Sequence, residues 1–185
     1  CINNIDNSQP RTITNSPSGV IAPTTGHIAL YVRVTNQGTV NVPQPWSVTF
    51  TDTVTGGTYT GPGTVVFYSG GTLINPTTFG PGTLQLFGGG QLQSSQPIVL
   101  PATTYAAGGA FTGTGTITIP TGATLETSGL TVHAPVINNG TITLGNSNCA
   151  ITLGADITNN GTINGLGCIN NIDNSQPRTI TNSPS

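Results

Sequence analysis

Apolar and polar residues alternate in short runs along this chain. Thr116-Ile117-Thr118-Ile119 and Thr141-Ile142-Thr143-Leu144 are clear cases, and Thr49, Thr51, Thr53 and Thr55 share one side of another such run. A period of two puts one apolar face against a core and one polar face toward water, which predicts β-strands. Strong helix formers are scarce, β-branched residues and glycine dominate, and no apolar run approaches the roughly 18 residues of a spanning helix. The chain is predicted to be all-β.

The strands are punctuated by a recurring signal. The pentapeptide Asn-Asn-Gly-Thr-Ile occurs at 138–142 and again at 159–163, and Gly-Thr before an apolar residue begins at Gly38, Gly57, Gly82, Gly115, Gly140 and Gly161, with Gly63-Thr64 and Gly71-Thr72 set aside to keep the spacing even. With Gly19-Val20-Ile21 added, these marks divide the chain into seven segments of roughly 19–33 residues, a size that suits the coils of a parallel β-solenoid. In such a fold Gly and Asn turn the corners, and stacked Asn side chains form amide ladders. Asn138-Asn139 and Asn159-Asn160 are the expected ladder positions. Seven such coils predict about 33–34 Å per unit along the axis at strand spacings of about 4.7–4.9 Å. The same Asn-Gly pairs also suit type I′ hairpins, so an antiparallel β-sandwich or jelly roll, completed by a neighbour's strand, is the alternative.

A longer period encloses this one. Residues 1–18 and 168–185 are the same eighteen letters, CINNIDNSQPRTITNSPS, so position 168 repeats position 1. Chance does not produce that identity. Residues 1–185 are therefore read as a single 167-residue all-β repeat unit plus an 18-residue overlap, the chain passing into its own copy with no flexible linker.

Two resemblances follow from particular segments. Thr58-Tyr59-Thr60-Gly61, Gly71-Thr72-Leu73, the run Gly82 to Gly90 and the two Asn-Asn-Gly-Thr-Ile segments resemble β-helical passenger and adhesin-type repeats of bacterial surface proteins, over residues 57–167. This implies a solenoid on a cell surface. Residues 27–55, with Val-Thr-Asn-Gln-Gly at 34–38 and Thr-Asp-Thr at 51–53, resemble Ig-like surface repeats, which implies a sandwich-like part there.

Composition narrows the function. Only 4% of residues are charged, with three Arg, no Lys and a net charge of -2. That leaves no basic surface for nucleic acid and no polybasic patch for a membrane, so neither partner is expected. Low charge, abundant Thr and Asn and a few Cys suit an extracellular or cell-surface protein. The acids stand singly at 6, 52, 126, 156 and 173, and His27 and His133 have no ligand-type residue at metal spacing. No Gly-x-Ser-x-Gly elbow is present. No catalytic residue, metal or cofactor is expected, and the chain is read as a non-enzyme.

The remaining candidates concern binding and linkage. Trp46 is the leading candidate for glycan stacking, in a candidate platform with Tyr31, Tyr59, Tyr68 and Tyr105. Asn139 and Asn160 head Asn-Gly-Thr acceptor sequences for N-glycosylation. Cys168 copies Cys1, so a unit holds two cysteines, and similar coil positions predict a Cys149–Cys168 disulfide with Cys1 bonded to the preceding unit. The expected function is a structural repeat or subunit of an extracellular filament or giant surface adhesin, polymerising head to tail with copies of itself. The alternative is a carbohydrate-binding surface module.

Overall fold

The computed structural model describes residues 2–3, 11–146, 149–172 and 176–183, with backbone alone at 2–3. The described chain is a succession of short strands, without helix, wound into a three-sided parallel β-solenoid of about eight turns. The first face stacks nine strands from Ile2–Asn3 through His27–Tyr31 and Ser47–Phe50 to Thr162–Gly165. The second stacks nine from Thr12–Asn15 to Ile169–Asn171. The third carries four strands, Val20–Ile21 to Thr78–Phe79, and then five, Ile98–Val99 to Ile180–Asn182. Pro76, Pro97 and Pro101 flank the break between these two piles, where they have no N–H to give a ladder.

Turns are compact. Val48 pairs with Val65 and Thr104 with Leu125, while the first turn is longer, Ile2 pairing with Leu30. Within each strand alternate residues point inward, as the sequence period requires. Leu30, Phe50, Phe67 and Leu86 form one inward column, and Val34, Val54, Leu73, Leu92, Phe111 and Val132 another. All of these are buried to 4% exposure or less, and Phe50 stacks on Phe67 with ring centroids 5.2 Å apart. Outward, Thr64, Thr83, Thr103, Thr124, Thr141 and Thr162 stack in register on the first face, β-branched side chain on β-branched side chain.

Three expectations are corrected here. Residues 27–55 are not sandwich-like: His27–Tyr31 runs parallel to Ser47–Phe50 and Arg33–Asn36 parallel to Val54–Thr55, so the segment is part of the same solenoid. Alternation has period two in either arrangement and does not reveal strand direction. The antiparallel alternative falls with it.

The Gly-Thr marks do not count coils. Gly19, Gly38 and Gly57 precede third-face strands, Gly82, Gly140 and Gly161 first-face strands, and Gly115 a third-face strand again. The stretch from Gly82 to Gly115 thus holds one full turn and two further faces. Counted by strands, Thr12–Asn15 and its copy Ile180–Asn182 are separated by eight turns and one face, not seven coils.

Nor do most of these glycines bend the chain. Of the seven, only Gly57 has a positive φ, at 88°. The others are glycine because the turns touch there. A Cβ on Gly82 would lie 2.5 Å from Gly63 O, and one on Gly140 would lie 2.5 Å from Pro120 O. Real side chains do not approach backbone so closely, so the corner closes only without a Cβ.

Candidate functional site

The described residues form two constellations: columns of amides at the corners of the solenoid, and a groove on its first face. The amide columns arise from the strand ends. Val136–Asn138, Ile157–Asn159 and Ile180–Asn182 stack in register, so their terminal asparagines lie one above another at the corner between the third and first faces. Asn138 Nδ2 donates to Asn159 Oδ1 at 2.7 Å, and Asn159 Nδ2 to Asn182 Oδ1 at 2.8 Å. Asn138 Nδ2 also donates to Thr162 O at 3.0 Å, while Asn138 Oδ1 accepts from Gly140 N at 3.1 Å. Asn138 is fully buried, so its amide must find partners inside the protein. Asn139 and Asn160 form a second, outer column: Asn160 Nδ2, the atom a glycan would occupy, donates to Asn139 Oδ1 at 2.8 Å.

The same arrangement recurs at the other end of the chain, one corner away. Asn15 Nδ2 donates to Asn36 Oδ1 at 2.8 Å and to Thr39 O at 3.3 Å, and Asn36 Oδ1 accepts from Gly38 N at 3.1 Å. Sequence reasoning misses these two positions because Asn15 reaches its glycine through Ser16-Pro17-Ser18 and Asn36 through Gln37. Asn-Gln-Gly-Thr beside Asn-Asn-Gly-Thr is the available signal. The column stops after Asn36, where the next turn carries Gly57 and a Cβ would run into the Asn36 amide. Tyr59 fills this region; burial pushes its hydroxyl well above the ordinary tyrosine value, and the Asn36 side chain offsets that in part.

The groove, of about 170 Å³, is lined by Phe87, Tyr105, Glu126, Ser128 and Thr143 among others. Tyr105, Glu126 and Thr143 are register partners on the first face, brought together from three successive turns. An aromatic face beside a carboxylate and hydroxyls suits the apolar face and hydroxyl rim of a sugar. Of the aromatics expected from sequence to stack on sugar, Tyr105 lines this groove and Trp46 lies elsewhere. It is half-buried against the core, follows the cis Gln44–Pro45 bond, and meets the His27 ring edge-on at 6.2 Å. His27 Nδ1 is engaged with Ser47 Oγ at 2.7 Å.

The expected Cys149–Cys168 disulfide does not form. Cys149 is a thiol whose S–H donates to Ile151 O at 3.2 Å, with Thr152 Oγ1 at 3.1 Å. The reason is register: Ile151 pairs with Ile169, which places Cys168 beside Ala150 rather than Cys149. Counting from Asn138 and Asn159 hides that one-residue offset, and in a strand one residue reverses the side chain's direction. Cys1 lies outside the described residues. Among the described residues no three of His, Cys, Asp and Glu come together as a metal site, and no helix is long and apolar enough to cross a membrane. Arg33 and Asp52 form an exposed ion pair at 3.8 Å.

Comparison with protein-family models, with curated proteins and with solved structures finds no match to this chain.

Proposed function

We propose that this chain is a structural, non-enzymatic repeat of an extracellular filament or giant surface adhesin, joined end to end with further copies of itself. One observation carries the reading. The duplicated eighteen residues contribute strands to both ends of the solenoid: Thr12–Asn15 pairs with Arg33–Asn36 above it, and Ile180–Asn182 pairs with Ile157–Asn159 below it. A segment that pairs on either side is what a chain needs to pass from one unit to the next. Open heterologous contacts of this kind extend without closing, and they cover the strand edges that would otherwise attract other sheets.

The rest of the molecule is consistent with that role. Low charge lets turn stack on turn with little repulsion, and three arginines without a lysine offer little to attract nucleic acid or an anionic membrane. The cell-surface setting rests on this composition and on the resemblance of residues 57–167 to adhesin-type repeats. Negative-stain imaging of the native material is the test: rods one solenoid wide and several units long are expected, and isolated single units at every concentration would overturn the proposal.

A second reading, a carbohydrate-binding surface module, is favoured by the groove at Phe87, Tyr105 and Glu126. Glycan-array binding lost on Tyr105→Ala would support it. Loss on Trp46→Ala instead would move the site to the indole, the leading candidate from sequence.

A further inference from the structure

We infer that successive units join with an advance of one third of a turn, so that the first face of each unit stacks on the second face of the unit before it, through one continuous column of asparagine amides. This rests on the end-to-end reading above and adds the geometry of the joint; the occupant of each end is the next copy, whose residues 1–18 are residues 168–185 of this chain.

The two copies of the duplicated segment occupy different faces. Ile2–Asn3 lies on the first face against Leu30–Tyr31, whereas its copy within Ile169–Asn171 lies on the second against Ile151–Leu153. Thr12–Asn15 lies on the second face, whereas its copy Ile180–Asn182 lies on the third. Two separate strands are thus displaced by the same single face. Placing a new unit on residues 168–185 therefore rotates it by one side of a three-sided coil, about 120° before any twist of the solenoid itself.

Each copy shows half of the joint. As Asn182, the shared asparagine accepts from Asn159 at 2.8 Å; as Asn15, it donates to Asn36 at 2.8 Å. Combined, they give a column Asn138, Asn159, Asn15 of the next unit, Asn36 of the next unit, each donating to the one after it. The backbone repeats the match. Asn160 N donates to Asn138 O at 2.8 Å, Ser183 N to Asn159 O at 3.0 Å, and Gln37 N to Asn15 O at 2.9 Å, three successive steps of one ladder.

The strand after this corner completes the joint. Thr162 N donates to Gly140 O at 2.9 Å and Thr39 N to Gly19 O at 3.0 Å. In the joined solenoid Val20 N of the next unit donates to Gly161 O, and Val20–Ile21 covers Thr162–Gly165, the last strand of the first face. Val20 is 60% exposed and Leu166, just past that last strand, is 85% exposed, as expected of edges that await a neighbour.

Eight turns and a third at about 4.7–4.9 Å each give a rise of about 39–41 Å per unit, in place of the roughly 33–34 Å that seven coils predicted. Faces return to register after three units, about 118–122 Å.

Helical reconstruction of the native filament tests this directly: a rise of about 39–41 Å with one-face rotation per unit is expected. A whole number of turns per unit would overturn the one-third advance and leave the end-to-end reading standing. Absence of axial assembly would overturn both. A chemical test uses Val20→Cys with Thr162→Cys in every unit, both exposed positions on strands that the joint makes neighbours, within disulfide reach. Peptide mapping after mild oxidation should find the 20–162 link in high yield, and little 20–158 link in the Val20→Cys, Thr158→Cys variant, Thr158 being the exposed position on the last third-face strand before the shared segment. The reverse pattern, which a third face continuing on a third face would give, refutes the inference.

Discussion

Removing the Asn138 side chain tests whether the amide column holds the corner. Asn138 is fully buried and makes three hydrogen bonds, to Asn159 Oδ1, to Thr162 O and from Gly140 N. At about 0.5–1.5 kcal/mol net for each bond, Asn138→Ala should destabilise the chain by about 2–4 kcal/mol. Asn138→Asp separates donor from acceptor. It keeps an oxygen for Gly140 N but turns a second oxygen toward Asn159 Oδ1 and Thr162 O, which are acceptors only. The ionised side chain is then buried against two oxygens, and the cost should exceed that of alanine, about 3–5 kcal/mol. The sign of the pH dependence follows. Burial and those two oxygens raise the folded pKa of the introduced carboxyl above its unfolded value of about 3.9. The penalty is full above the raised pKa, fades as pH falls through it, and is gone below the unfolded value, where the protonated acid can donate. Urea unfolding followed by circular dichroism, with amide exchange at Gly140, measures both variants. An alanine variant within about 0.5 kcal/mol of the parent, or an aspartate variant with the parent's pH profile, would refute the reasoning.

Three further outcomes are expected. Gly140→Ala should cost about 1–3 kcal/mol through overpacking against Pro120 and Ala123 carbonyls, and more than Gly122→Ala, whose φ of 80° is strained but whose surroundings are open; equal effects would contradict the close-approach account. Phe67→Ala, which empties one ring of the Phe50–Phe67 stack at the centre of the core, should cost about 3–5 kcal/mol in urea unfolding, and a loss under about 1 kcal/mol would mean the column closes over the gap. With five carboxylates in 185 residues and an exposed Arg33–Asp52 pair, the parent's melting midpoint should move little between pH 4 and 8, and a strong shift in calorimetry would contradict that.

The strands and the solenoid could be read from the chain because they depend on neighbours in sequence. Alternation at Thr141–Leu144 and the repeated Asn-Asn-Gly-Thr-Ile carry both the pairing of Thr141 with Thr162 and the bond from Asn138 to Asn159. What escaped depends on which face a residue lies on. Gly-Thr begins strands on the first and third faces alike, since either corner needs a glycine where backbone meets backbone, so counting these pairs mixes whole turns with thirds. The cysteines failed for a related reason: turns of unequal length absorb small insertions at corners, and one residue of slack separates Cys149 from the partner of Cys168. Tyr105, Glu126 and Thr143 share no local motif; only the stacking of turns makes them neighbours.

The inner amides of the corner columns, unlike the outer Asn160–Asn139 pair, all point one way. Asn138 gives to Asn159, Asn159 to Asn182, and Asn15 to Asn36, always from the earlier turn to the later. An amide has one donating and one accepting end, so a column built this way has a head and a tail that differ chemically. Two heads brought together would set acceptor against acceptor, and two tails donor against donor. Any filament made from these units is therefore a directed object, with unlike tips that can grow at unlike rates and cannot be annealed in reverse.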